Sequence, residues 1–511
     1  MMKTDFRMFR HVGLVSLGTL SSRLLGLVRE ILMASTFGTK GVASAFFVAF
    51  LIPNLFRRLF GEGALSAAFV PHYIHLRDGT SPEKAAATSR SILAWMLRWL
   101  GTISLGGIII ASSALSFFNL PEDKALTLLS LRILLPYMIG ICLAALMMGI
   151  LNAHRKYALP AFTPCILNLM WIGVLVLLQY YPEIPLDKKV IWVCWAILLA
   201  GFIQFAVQAL VVRKLIPSTP RPKQKDPEVS VILTRMAPAA LGAAVMQVNV
   251  LADRLLAFWV ADYGPATLSY SERLIYLPLG LFATALGTIL LPEFSGQVQR
   301  KDRDQLAATL DRSLRVLSFI MLPAAVGLAV LASPIIRLVY ERGEFDATST
   351  LLTSRALLLY APGLVVFSLA KVFVPLFHAH GDTKTPMKIG AFAVILNLGF
   401  NLLFIFTFPE GWKHAGLAAG TVLSILVQVG ILAFLTHRRY APLHFSRIGF
   451  SWARQGMACF PLAAVATLAS GFLPELPELL HILVTICLSA AAYFFSTWCL
   501  RCPEWKELRD H

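Results

Sequence analysis

The residues of this sequence that could do chemistry are arginines set inside long apolar runs. The first run carries Ser22, Arg23, Gly26, Arg29 and Glu30. At roughly 100° per residue, Arg23 and Glu30 fall within about 20° of each other on a helix, while Arg29 lies about 120° from Arg23. Gly26 is a bending point that would let both guanidinium groups reach one cavity. The second run carries Asn54, Arg57, Arg58 and Glu62, of which Asn54, Arg58 and Glu62 follow i, i+4, i+8 and form one polar stripe. A later run opens with Tyr270, Ser271, Glu272 and Arg273. An arginine at a bilayer centre costs at least ~2.5 kcal/mol, so several of them on apolar helices imply a polar cavity. A purely structural alternative neutralises Arg58 with Glu62, Arg23 with Glu30 and Arg273 with Glu272. Arg29 and Arg57 are then left over and the cavity stays positive. The planar fork of guanidinium takes two oxygens at once, so the expected ligand is anionic, most simply a phosphate or diphosphate.

A second polar set comprises Asp253, Asn397 and Asn401 at i, i+4, and Thr421. One carboxylate with amide and hydroxyl oxygens at similar depth suits Na+ as a coupling ion. The competing reading is hydrogen bonding between helices. His378, His380 and Asp382 read as a solvated loop, since no further ligand is near. Of seven cysteines, five lie in apolar runs and behave as small hydrophobes, and the lone Cys499/Cys502 pair reads as coincidence. No resident cofactor, catalytic nucleophile or Mg2+-binding aspartate cluster is expected.

The framework that must position these groups is helical and membrane-embedded. The chain has 511 residues, 57% hydrophobic and 14% charged, with a mean hydropathy of +0.70. A soluble protein carries about 25% charged residues. Apolar stretches long enough to cross a ~30 Å core recur near 11–38, 45–73, 91–118, 126–152, 161–181, 190–212, 231–259, 266–295, 313–339, 351–377, 386–406, 413–436, 450–472 and 479–500. The class is an all-α polytopic membrane protein with about fourteen transmembrane helices. The first apolar run continues past signal-peptide length, so no cleaved leader is expected. Loop Lys and Arg concentrate on one side, as at Arg155, Lys156, Arg300, Lys301 and Arg303, which places both termini in the cytoplasm. Most of the +17 net charge is thereby assigned to topology, and nucleic acid is not expected as a partner.

An internal repeat organises the helices. Ala153-His154 and Ala379-His380 each begin an A-H-x5-P segment, 226 residues apart, and each leads into I-L-N-L, at Ile166–Leu169 and Ile395–Leu398. Gly63–Pro71 and Thr284–Pro292 echo each other as well. The echoes lay helices 1–6 over helices 7–12, in parallel orientation, a common transporter plan. The expected division is an N-terminal lobe at 1–214, a cytoplasmic linker at 215–230, a C-terminal lobe at 231–438, and an appended helix pair with a tail at 439–511. The basic linker, Arg221 to Lys225, is placed to touch anionic headgroups.

The segments Ser22–Glu30, Ala45–Phe50 and Pro53–Ala64, with Glu272–Leu274, Ala285–Pro292 and Lys384–Pro386, resemble the MurJ (MviN) lipid II flippases over essentially the whole chain. The resemblance implies the multidrug/oligosaccharidyl-lipid/polysaccharide exporter (MOP) superfamily, and a non-enzymatic transporter in the bacterial inner membrane. It implies movement of undecaprenyl-diphosphate-linked peptidoglycan precursor to the outer leaflet by alternating access. It further implies that Arg23, Arg29, Arg57, Arg58 and Arg273 bind the diphosphate region, with Glu30, Asn54 and Glu62 as cavity residues. Helices 13 and 14 would form a groove for the lipid tail, and Asp253, Asn397, Asn401 and Thr421 would match sodium-site positions of some members. Membrane lipids and the cell-wall synthesis machinery are implied partners. Many members carry an acidic residue where this chain has Ser44, and a lysine where it has Leu51. The alternatives are an exporter of another polyprenyl-linked glycan and a membrane enzyme acting on polyprenyl phosphates.

Overall fold

A computed structural model describes residues 2–61, 64–217, 226–472 and 477–509. Among the described residues every regular element is a helix. In chain order these are α1 (Met2–Phe37), α2 (Gly41–Gly61), α3 (Ala64–Gly79), α4 (Pro82–Phe117), α5 (Glu122–Leu134), α6 (Tyr137–Ala153), α7 (Ala158–Gln179), α8 (Leu186–Leu215) and α9 (Pro227–Val260). They continue as α10 (Gly264–Pro278), α11 (Thr284–Gln299), α12 (Arg303–Val330), α13 (Ala332–Tyr340), α14 (Ala347–Tyr360), α15 (Gly363–Ala379), α16 (Lys384–Thr407), α17 (Lys413–Arg439), α18 (Phe445–Phe472), α19 (Glu478–Cys499) and α20 (Glu504–Arg509). Each expected apolar segment falls on one of these helices or on a consecutive pair. Among the described residues, ten helical spans are long and apolar enough to cross a membrane, and the bent pair α14–α15 makes an eleventh. Large apolar side chains such as Ile110, Phe406 and Phe460 point outward, as suits a lipid solvent rather than water.

Proline explains where expected single helices divide. Segment 126–152 breaks at Pro136, between α5 and α6, and segment 351–377 breaks at Pro362, where α14 and α15 meet at 41°. Each proline lacks an N–H and disfavours helix in the residue before it. Pro278 likewise precedes a π-helical turn, Leu279–Ala283, between α10 and α11.

The chain forms two compact units, Met1–Leu255 and Leu256–His511. In the first unit α2 packs on α5, α3 and α4 on α6, and α8 on α5, α6 and α7. In the second, α10 packs on α14, α11 and α12 on α15, and α17 on α14, α15 and α16. The same helix pairs thus recur in order. Close approach is secured by glycine in the first unit, where a Cβ on Gly140 would stand 2.7 Å from the Gly201 backbone. Small residues serve this purpose in membranes, where packing rather than hydrophobicity drives association. The appended pair α18–α19 packs against α12 through Phe319, Ala458, Leu462 and Tyr493, and the Tyr493 hydroxyl donates to the Phe319 carbonyl at 2.9 Å.

Candidate functional site

In the first unit, α1, α2, α7 and the middle of α9 bring a set of polar side chains together. Arg29 is at its centre and three side chains hold it. Its Nη1 donates to Asn168 Oδ1 at 2.9 Å, and its Nη2 donates to Glu30 Oε1 at 2.5 Å. Its Cζ lies 4.4 Å from the centroid of the Trp171 ring, a cation–π contact worth about 0.5–2 kcal/mol. Asn168 in turn donates to the Ser22 carbonyl at 3.0 Å, so it ties α7 to α1 at two points, Ser22 and Arg29. Trp171 is seated against Phe46 and Phe50, at 5.2 and 5.5 Å between ring centroids.

On α2, Arg57 Nε donates to Asn54 Oδ1 at 2.7 Å, one turn away. Arg58 Nη1 reaches across to α9 and donates to Gln247 Oε1 at 3.2 Å. Each half-buried guanidinium group of α2 thus takes an amide oxygen as a partner.

The purely structural alternative is not met at Glu30. Glu30 pairs with its neighbour Arg29 rather than with Arg23, and Arg23 is exposed. Helical angles compare Cβ directions, but an arginine stem is long enough to turn its head toward the adjacent carboxylate. Arg29, expected to be left over, is therefore paired. Glu62 lies outside the described residues, as does the linker from Arg221 to Lys225. Ser44 is buried and Leu51 half-buried on α2.

In the second unit, Arg273 is half-buried on α10 and Glu272 accepts from the Tyr276 hydroxyl at 2.9 Å. Asn397, Asn401 and Thr421 meet across α16 and α17: Asn401 Nδ2 donates to Asn397 Oδ1 at 3.2 Å and Asn397 Nδ2 donates to Thr421 Oγ1 at 3.3 Å. Gly420 makes room, since a Cβ there would collide with Asn401 Oδ1. The first of these bonds lies within α16 and the second joins α16 to α17. Asp253 is buried near the end of the first unit. Among the described residues no three His, Cys, Asp or Glu side chains gather as a metal site. The His380 ring stacks on Tyr440 at 4.0 Å and Asp382 accepts from the Tyr440 hydroxyl at 3.0 Å, so that segment is an anchored turn.

Three site residues were missed by sequence reasoning: Asn168, Trp171 and Gln247. The repeated I-L-N-L motif marks Asn168 as one of two equivalent amides, which was the available signal. Trp171 and Gln247 carry none.

The two bundles share one order of helix contacts, a fold also found in transporters of the MOP superfamily. An inward-facing MATE transporter of that superfamily matches with a TM-score of 0.66 at 17% identity, covering 84% of this chain and 95% of the other, a likeness of fold alone. The family model described as lipid II flippase MurJ matches residues 33–485, and the chain belongs to that family. The lipid II flippase MurJ of Burkholderia cenocepacia is 32% identical over 520 residues, covering 96% of this chain and 97% of that protein. A probable lipid II flippase MurJ of Rickettsia prowazekii is 33% identical over 433 residues, 83% of each. A structure of lipid II flippase MurJ in an inward closed conformation gives a TM-score of 0.79 at 26% identity, covering 95% of this chain and 98% of that one.

Proposed function

We propose that the protein moves lipid II, the undecaprenyl-diphosphate-linked peptidoglycan precursor, from the inner to the outer leaflet of the bacterial cytoplasmic membrane. The observation that carries the reading is the arginine set of α1 and α2, held inside apolar helices by Asn54, Asn168 and Gln247, in a chain of the MurJ family. Arginine forks are the preferred match for diphosphate oxygens. Arg23, Arg29, Arg57 and Arg58 with Arg273 bind the diphosphate. Asn54, Glu30 and Glu62 complete the binding site.

The lobes at 1–214 and 231–438 alternate access, joined by the cytoplasmic linker at 215–230, with both termini in the cytoplasm. The pair at 439–511 guides the polyprenyl tail through the surrounding lipid. An inside-negative potential favours outward passage of an anionic headgroup by about 2.3 kcal/mol per charge per 100 mV. Na+ is the coupling ion for the return step, with Asp253, Asn397, Asn401 and Thr421 as its oxygen donors. The cell-wall synthesis machinery is the consumer of the delivered headgroup. Replacing Arg29 or Arg273 with Ala tests the reading: headgroup appearance on the outer face is expected to fall to the protein-free rate, and undiminished movement would sink it. Omitting Na+ is expected to slow repeated turnover while sparing the first outward event.

A further inference from the structure

We propose that Asn168 and Trp171 are positioning residues for anion capture: they fix the plane of the Arg29 guanidinium so that its fork can pass from Glu30 to a phosphate. The inference rests on the reading of Arg29 as a headgroup ligand. Asn168 and Trp171 stand one turn apart on α7 and share a face. They address one group at two points: Asn168 Oδ1 accepts from Arg29 Nη1 at 2.9 Å, and Arg29 Cζ lies over the Trp171 ring, 4.4 Å from its centroid.

Both are themselves immobilised. Asn168 is 5% exposed and tied to the Ser22 carbonyl, and Trp171 is 2% exposed between Phe46 and Phe50. A buried amide in an apolar helix costs free energy unless bonded, so a packing role alone would be better served by leucine. The chemistry of the pair also matters. A neutral amide and an indole hold a cation without supplying an anion, whereas Glu30 supplies one at 2.5 Å on Nη2. An incoming phosphate competes with the Glu30 carboxylate for that edge, and the amide and indole keep the guanidinium in place during the exchange. The repeat separates this role from a generic structural one. Asn397, at the matching position of the second I-L-N-L, accepts from Asn401 and donates to Thr421, so the first-half amide serves an arginine where its counterpart serves an amide and a hydroxyl.

The test is a binding titration of full-length protein in nanodiscs with undecaprenyl diphosphate as the probe, read alongside the thermal midpoint. Arg29→Ala is expected to weaken binding strongly and Asn168→Ala about tenfold, the scale of one hydrogen bond to a charged group. The double variant Arg29→Ala/Asn168→Ala is expected to bind no more weakly than Arg29→Ala, because Asn168 acts through Arg29. Trp171→Phe, which keeps an aromatic face, is expected within about threefold of the parent, with Trp171→Leu about tenfold weaker. If Arg29→Ala weakens binding while Asn168→Ala does not, or if the two losses add in full, the positioning role is overturned and the headgroup reading survives. Equal binding by Trp171→Leu and the parent overturns it in the same way, independently of how the Asn168 variants fold. Parent-like binding by Arg29→Ala overturns the headgroup reading, and the positioning role with it.

Discussion

Arg315 on α12 meets Glu504 on the C-terminal helix α20 at 3.3 Å, with the Glu504 side chain wholly buried. The same guanidinium holds Glu507 at 2.5 Å. Ser451 of α18 donates to Glu504 at 2.5 Å, and Gln455, one turn on, donates to both Ser451 and the Arg315 carbonyl. One ionic cluster thus ties the appended helices and the tail to a core helix of the second unit.

Removing one partner of a buried pair costs about 3–5 kcal/mol, because the other charge is stranded. Arg315→Ala is therefore expected to lower the thermal midpoint of the detergent-solubilised protein markedly, and Glu504→Gln, which keeps an oxygen acceptor, to lower it less. Equal midpoints for parent and Arg315→Ala would show that the cluster contributes nothing.

Acid should loosen the turn between α6 and α7 in the first unit. His154 Nε2 lies 2.9 Å from the Tyr73 hydroxyl, and Arg77 donates to the neighbouring Ala153 carbonyl at 2.8 Å. Burial, then the Arg77 charge, push the His154 pKa below its ordinary 6.5, against a smaller opposing pull from Asp78. A depressed folded-state pKa means that this contribution is fully present above pH 6.5 and is lost as pH falls through the folded value. Stability measured from pH 8 down to pH 5 should fall, and His154→Gln should flatten part of the slope. An identical slope in His154→Gln would exclude this group.

Glycine tolerance should follow contact geometry. A Cβ on Gly201 would lie 2.6 Å from the Tyr137 ring, while one on Gly101 meets nothing within 4 Å. Gly201→Val is expected to cost about 1–3 kcal/mol by overpacking, and Gly101→Ala to gain up to about 1 kcal/mol of helix propensity. Thermal midpoints of the two variants decide it.

The two A-H turns share a left-handed backbone position but fill it with different residues. Gly381 adopts φ +73° after His380, and Arg155 adopts φ +59° after His154. Left-handed backbone costs an ordinary residue roughly 1 kcal/mol, so Arg155→Gly is expected to raise stability by about that amount, as read by denaturant midpoint. A drop in the midpoint would mean that Arg155 makes a compensating contact.

The framework was legible in the sequence because lipid demands long apolar helices, and the repeat was legible because duplicated turns keep their motifs. Subdivision of the helices was missed although Pro136, Pro278 and Pro362 announce it, since hydropathy windows average across a single proline. At the site, arginine positions were visible as charge in apolar surroundings. Their partners were not. Asn168 meets Arg29 across 139 residues of sequence and Gln247 meets Arg58 across 189, separations that helical periodicity cannot bridge. Glu30 was matched to the wrong arginine because angular position along one helix ignores side-chain reach.

The most direct test of the account is transbilayer movement in liposomes that carry fluorescent lipid II together with a labelled phosphatidylcholine, with the outer leaflet read by a membrane-impermeant quencher. The account predicts that the reconstituted protein moves lipid II and leaves the zwitterionic lipid at the protein-free rate, and that Arg29→Ala abolishes the difference. Equal movement of both lipids, or undiminished lipid II movement by Arg29→Ala, would contradict it.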